Sequence, residues 1–137
     1  MPAICVTALK SICPIALRKP YMAFIPAALV AAGIAVLSLI EQPTVVTPIP
    51  VNDKLAHGLM YAVLAVALLV PLFRLPVNHD KSIFLTVFAT TAYGLLMEAL
   101  QRYCTLTRSG NMADLLADLV GALIGVTIVL VWRICTK

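Results

Sequence analysis

Apolar residues gather in four long runs that short polar segments separate. The runs cover residues 21–40, 57–73, 83–100 and 115–132, and none of them contains Lys or Arg. At about 1.5 Å per residue, a helix of such length crosses a hydrocarbon core of roughly 30 Å. A chain in lipid spans it only as helices or a closed barrel, and the alternation typical of barrel strands is missing from the sequence. The pattern predicts an all-α polytopic membrane protein, an antiparallel four-transmembrane-helix bundle.

The polar segments define the connections and the domain limits. We expect a cytoplasmic N-terminal segment at 1–20 and a four-helix membrane domain at 21–137, with the first apolar run acting as an uncleaved signal anchor. The prolines in segment 41–56 predict an extended connection, and either Asn52 or Asp53 is expected to cap the second helix. His79, beside Asp80, is predicted to be a loop residue between the second and third helices.

Composition supports a membrane protein, and the basic residues set its orientation. Apolar residues make up 62% of the chain and charged residues 12%, about half the usual share of a soluble domain. The net charge of +4 is not clustered as nucleic-acid binding requires. With both termini in the cytoplasm, the outer segments hold only three basic residues, and this is the orientation that the positive-inside rule favours. The inner basic residues are Lys10, Arg18, Lys19, Arg74, Lys81, Arg133 and Lys137, and the outer ones are Lys54, Arg102 and Arg108.

Ionisable and polar residues gather at the ends of three predicted spans. Asp53, His57 and Tyr61 are spaced four residues apart, so they share one face of the second helix. The end of the third helix and the start of the fourth carry the rest, and alternating helices bring all these ends to the outer membrane boundary. The ten candidate binding residues are Asp53, Lys54, His57, Tyr61, Glu98, Gln101, Arg102, Arg108, Asp114 and Asp118.

Two interpretations of this group stay open. An ionisable side chain inside a span costs about 2.5–3.5 kcal/mol on insertion scales, so it usually faces protein and has a partner there. The residues therefore form either a polar pocket open to the outer face or separate surface groups that reach interfacial water. Arg102 and Arg108 either pair with Glu98 and Asp114 or bind an anionic headgroup, whose phosphate or carboxylate a guanidinium matches in bidentate fashion. Capping and interfacial anchoring explain Asp53 and Lys54 without a ligand.

The sequence gives no metal or cofactor signature. His57, Glu98, Asp114 and Asp118 have the side chains of metal ligands, but their spacing matches no known ligand motif. We therefore expect neither a metal nor a cofactor.

Small residues repeat every four positions on the fourth predicted helix, at Ala117, Gly121 and Gly125. Such a row lets another helix approach closely. The neighbouring helix belongs either to the same bundle, which we favour, or to a second copy of the chain in a homo-oligomer.

Several motifs together resemble the VanZ-like family of small bacterial integral membrane proteins. Asp53-Lys54-Leu55-Ala56-His57, followed by Tyr61, is similar to that family's D-K-x-x-H-x-x-x-Y signature. The segment with Glu98, Gln101, Arg108 and Asp114 is similar to its E-x-x-Q, R and D positions, and Gly121-Ala122 with Gly125 to its closing G-A-x-x-G. The resemblance covers about residues 53–130. It departs at Asp118, where the family usually has Asn.

The resemblance implies a multi-pass protein of the bacterial inner membrane with a role at the cell envelope and an influence on teicoplanin susceptibility. We expect a non-enzymatic protein whose outer pocket binds an anionic envelope component, a wall precursor or a partner protein, alongside membrane lipids and no nucleic acid. The alternative is a membrane hydrolase or transferase of a lipid-linked substrate, with His57 as general base, Glu98 or Asp114 orienting it, and the two arginines stabilising charge. The motifs of known membrane hydrolases are missing from the sequence, so it favours the non-enzymatic role. A third hypothesis is a flippase or channel subunit.

Overall fold

A computed structural model describes residues 20–39, 51–104 and 112–136. A 3-10 helix at Pro20–Phe24 leads into the first of four α-helices in this part of the chain. We number these helices α1 (Ile25–Leu39), α2 (Val51–Leu72), α3 (His79–Cys104) and α4 (Met112–Cys135).

Four helical segments in the described residues are long and apolar enough to cross a membrane: Tyr21–Leu39, Lys54–Leu72, His79–Tyr103 and Met112–Cys135. Large apolar side chains cover their outer surfaces, as suits contact with lipid; Leu29, Phe84 and Phe88 are each more than 60% exposed. These observations confirm the predicted all-α polytopic fold. The two domain limits, at residues 20 and 21, remain predictions.

Three of the helices extend beyond the apolar runs that predicted them. α2 begins at Val51, so Asn52 and Asp53 lie inside its first turn and the prediction that one of them caps the helix is wrong. α3 begins at His79, which is therefore helical and not a loop residue; the Asn78 side chain caps this helix by accepting the Asp80 amide at 3.3 Å. The apolar pattern marks only the lipid-embedded part, while the backbone keeps its helical hydrogen bonds into the interface.

The row of small residues on α4 packs inside the bundle, against α2. A Cβ added to Gly121 would overlap the carbonyl oxygen of Gly58, and one added to Gly125 would overlap the carbonyl oxygen of Ala62. Both pairs advance by one helical turn in the same direction, so α2 and α4 run parallel in close contact. In-bundle packing of Gly121 and Gly125 is thus confirmed.

Two hydrogen bonds join α1 to α3 and complete the alternation of helix directions. The Tyr93 hydroxyl donates to the Ala31 carbonyl at 2.6 Å, and the Gln101 amide donates to the Ser38 carbonyl at 3.1 Å. These pairs also advance together, so α1 and α3 run parallel to each other. The carboxyl ends of α1 and α3 therefore meet the amino ends of α2 and α4 at one end of the bundle.

Candidate functional site

One end of the bundle buries several polar and ionisable side chains, and we call it the polar end. It is formed by His57 on α2, Glu98 and Gln101 on α3, and Asp118 on α4. His57 is 5% exposed and Asp118 is 1% exposed, so both lie in the interior of the bundle. Both residues lie within helices, so the register of the helices sets the positions of their side chains, and no loop is involved.

His57 and Asp118 contact each other directly. Nδ1 of His57 lies 3.1 Å from Oδ1 of Asp118, a hydrogen bond between residues that are 61 positions apart. His57 directly precedes Gly58, and Asp118 lies one turn before Gly121. The close backbone contact of these two glycines therefore brings the imidazole within reach of the carboxylate.

Glu98 brings a second carboxylate to the same place from α3. One possible ligand atom from each of His57, Glu98 and Asp118 lies within 4.8 Å of the other two. Glu98 is half-buried. Two carboxylates this close repel each other strongly away from bulk water, unless a proton, an imidazolium or another cation balances them. The three helices thus converge on a centre that favours positive charge.

Gly94 makes room for the Asp118 carboxylate on α3. A Cβ at this position would lie 2.9 Å from Oδ2 of Asp118, closer than side-chain carbons come to such oxygens without a shift. Gly94 lies one turn before Glu98, so α3 presents bare backbone next to one carboxylate and supplies the other.

Tyr61 adds a hydroxyl that the described residues leave without a hydrogen-bond partner. Its side chain is 1% exposed, and it lies one turn after His57 on the same face of α2. The hydroxyl is close enough to Asp118 and Glu98 to interact with them electrostatically. Its ring packs beside that of Tyr93 with centroids 6.3 Å apart. A buried hydroxyl normally has a partner, so this one is a site for a further polar group.

The remaining predicted site residues fall into three groups. Gln101 is buried and ties α3 to α1 through Ser38, while Asp114 is half-buried one turn before Asp118. Lys54 and Arg102 are exposed at the same end of the bundle. The side chain of Asp53 and the whole of Arg108 lie outside the described residues.

The opposite end of the bundle holds a contact that the sequence analysis missed. Arg133 donates from Nη2 to Nε2 of His79 at 2.8 Å, and its guanidinium lies 4.6 Å from the centre of the Phe73 ring. His79 in turn meets the Phe73 ring edge to face, with centroids 5.0 Å apart. All three lie at helix ends, where this exposed contact joins α3 and α4 to the end of α2.

Chemically, the polar end can orient an imidazole and concentrate oxygen ligands. A carboxylate bonded to Nδ1 fixes the ring and directs Nε2 away from Asp118, as in sites where histidine acts as a base. The sequence favours Glu98 or Asp114 as the group that orients His57; the structure places Asp118 at hydrogen-bond distance from it. The register of α4 against α2 at the contact of Gly121 with Gly58 selects Asp118, and spacing along the sequence does not give this register.

A family model described as VanZ/LLP1 matches residues 18–133. The matched range contains α1, α2 and α3 entirely, nearly all of α4, and every residue of the polar end. No curated protein and no solved structure matches the chain.

Proposed function

The chain belongs to the VanZ/LLP1 family, and from this premise we propose that it is a multi-pass protein of the bacterial cytoplasmic membrane whose polar end binds an anionic component of the cell envelope. The observation that carries the proposal is the burial of His57 and Asp118, at 5% and 1% exposure, inside segments that can cross a membrane. Ionisable residues in such segments usually mark a ligand or ion site.

The energetics of the buried pair support a functional role. Desolvating two ionisable groups is expensive, and apolar residues of similar shape give equal or greater stability at many such sites. The contact of Gly121 with Gly58 already holds α2 and α4 close together beside this pair. A ligand that uses the pair gives a reason for its presence.

Cationic side chains at the same end supply the recognition of an anion. Lys54 and Arg102 are exposed in the first turn of α2 and the last turn of α3, beside the buried centre. Arg108 follows in the segment between α3 and α4. Guanidinium groups bind phosphates and carboxylates through paired, charge-assisted hydrogen bonds. A phosphate or carboxylate headgroup in the interface would meet these side chains first.

The distribution of basic residues supports an outward-facing polar end with both termini in the cytoplasm. In that orientation the polar end meets wall precursors and lipid headgroups of the outer leaflet. The family resemblance adds a consequence for resistance: expression of the protein lowers teicoplanin susceptibility through this contact with an envelope component.

A binding experiment tests the proposal directly. The full chain is placed in nanodiscs with undecaprenyl phosphate as the anionic probe and undecaprenol as its uncharged counterpart, and retained lipid is counted by native mass spectrometry. We expect the phosphate to be retained selectively, and Arg102→Ala to weaken its retention about tenfold, as the loss of a charge-assisted hydrogen bond implies. Arg74→Ala, an exposed arginine on the opposite side of the bundle, is the matched control and keeps full retention. Equal retention of the two lipids would refute the proposal.

One observation favours a second function, a membrane enzyme acting on a lipid-linked substrate. The hydrogen bond of 3.1 Å that Nδ1 of His57 donates to Asp118 is the arrangement that prepares an imidazole to act as a general base through Nε2. Under this alternative His57 takes a proton from the attacking water and Asp118 positions the ring. Turnover of a polyprenyl diphosphate probe that His57→Gln abolishes while binding persists would favour the enzyme over the binding protein.

A further inference from the structure

We propose that His57, Glu98 and Asp118 bind a divalent transition-metal ion, with Zn²⁺ as its representative, between α2, α3 and α4. The proposal rests on the convergence of one imidazole and two carboxylates whose possible ligand atoms lie within 4.8 Å of one another. It does not depend on the anionic ligand proposed above, because it concerns only the charge and geometry of these three side chains.

The donor set selects the class of ion. Imidazole nitrogen suits Zn²⁺ and its first-row neighbours, whereas Mg²⁺ and Ca²⁺ prefer ligand sets made of oxygen alone. Three protein ligands, with a fourth position for water or a ligand, match the pattern of reactive zinc sites and not that of closed structural sites. An ion of this class is therefore the best match to one nitrogen and two oxygen donors.

The distances require only side-chain movement. With bonds of about 2.1 Å, ligand atoms on a tetrahedral zinc ion lie roughly 3.4 Å apart. Nδ1 of His57 and Oδ1 of Asp118 are already 3.1 Å apart, and an ion bound by both atoms would take the place of their hydrogen bond, with the imidazole proton moved to Nε2. Since all three ligand atoms lie within 4.8 Å of one another, the Glu98 carboxylate must move about 1.4 Å or less toward the other two atoms. Rotation of the long Glu98 side chain provides this movement.

A second observation points independently to a ligand in this place. Tyr61 is 1% exposed, and its hydroxyl is buried near Asp118 and Glu98 with no hydrogen-bond partner among the described residues. A water molecule bound to the ion would give this hydroxyl an acceptor or a donor.

Charge balance gives the ion a role at the polar end. A divalent cation offsets the two carboxylate charges of Glu98 and Asp118, so that Lys54 and Arg102 then outnumber Asp114, the remaining acid that the described residues place at this end. The ion therefore strengthens the attraction of the polar end for an anion. A phosphate bound by Lys54 and Arg102 would reach the open coordination position of the ion.

The test is calorimetric titration of the full chain in detergent with ZnCl₂, after removal of metals with a chelator and alkylation of the cysteines. We expect one Zn²⁺ per chain, no comparable binding of Ca²⁺, and at least about tenfold weaker binding in Asp118→Asn, which keeps the side-chain shape. Asp80→Asn, which changes an exposed carboxylate at the opposite end of the bundle, is the matched control and binds as the unmodified protein does. His79→Gln removes the histidine at the opposite end and also leaves binding unchanged.

Two further measurements separate loss of the site from loss of the fold. Circular dichroism and the elution volume of Asp118→Asn show whether the bundle persists. Absorption by Co²⁺ bound to the unmodified chain reports nitrogen and oxygen ligands without any substitution. Absence of stoichiometric Zn²⁺ binding, or equal affinity in the Asp118 and Asp80 variants, overturns the proposal. Because no lipid probe is present, that result leaves the retention of undecaprenyl phosphate as a separate question.

Discussion

Substitution of Gly121 by alanine probes the contact that places His57 beside Asp118. The new Cβ would lie 2.8 Å from both Cα and the carbonyl carbon of Gly58 and would overlap the carbonyl oxygen. Carbon atoms in good contact are about 3.5–4.0 Å apart, so the two helices must separate by roughly 0.7 Å or more. Both partners are backbone, so no side-chain rotation relieves the overlap.

The expected loss of stability is large for the addition of one methyl group. Overpacking typically costs 1–3 kcal/mol, and a rigid backbone contact belongs at the upper end, so we expect about 3 kcal/mol. Reversible unfolding by SDS in mixed micelles measures the change, with fluorescence of Trp132, the single tryptophan, as the signal. Separation of α2 from α4 also lengthens the hydrogen bond between His57 and Asp118.

Gly33→Ala is the matched control for this substitution. Gly33 lies in α1, and a Cβ there would meet nothing within 4 Å. Alanine in a helix interior is favoured over glycine by roughly 0.5–1 kcal/mol, so this variant should be neutral or more stable. If Gly121→Ala unfolds at the same SDS fraction as Gly33→Ala, the tight approach of α2 and α4 is wrong.

Three further predictions follow from the same packing and topology. Reporter fusions after Leu75 and after Lys137 should both report a cytoplasmic location; an external signal at either would reverse the bundle. Gly94→Ala should displace the Asp118 carboxylate, 2.9 Å from the new Cβ, and weaken Zn²⁺ binding severalfold while circular dichroism stays helical; unchanged affinity would contradict this. Arg133→Ala should cost about 1 kcal/mol or less, because its contacts are exposed; a much larger loss in SDS unfolding would show that the end opposite the polar end is a structural anchor.

The sequence predicted the spans because lipid imposes a simple requirement on them. A long apolar run with at most one acid must become a helix in the hydrocarbon core, so the four runs located the four helices. The apolar pattern did not predict where α2 and α3 begin, because their first residues, Val51 and His79, lie outside the apolar runs. Polar first turns carry no apolar signal, and water at the interface tolerates helix and loop equally well.

The polar end was predictable in part. A spacing of four residues placed His57 and Tyr61 on one face, and alternating topology placed Glu98 and Asp118 at the same end. The partner of His57 was not predictable, because it depends on the rotation and register of α2 against α4. The contact of Gly58 with Gly121 sets both, and it selects Asp118. The prediction that Arg108 joins the group stays a prediction.

The measurement that tests the central claim most directly replaces the buried pair by apolar residues of similar outline, His57→Phe with Asp118→Leu. If the pair exists for ligand binding, the double variant should keep or exceed the original SDS unfolding free energy, because the desolvation of two ionisable groups is no longer required. In nanodiscs the same variant should lose selective retention of undecaprenyl phosphate. A double variant that retains the lipid as before, or one that loses more than about 2 kcal/mol of stability, would show that the pair serves the fold and not a ligand.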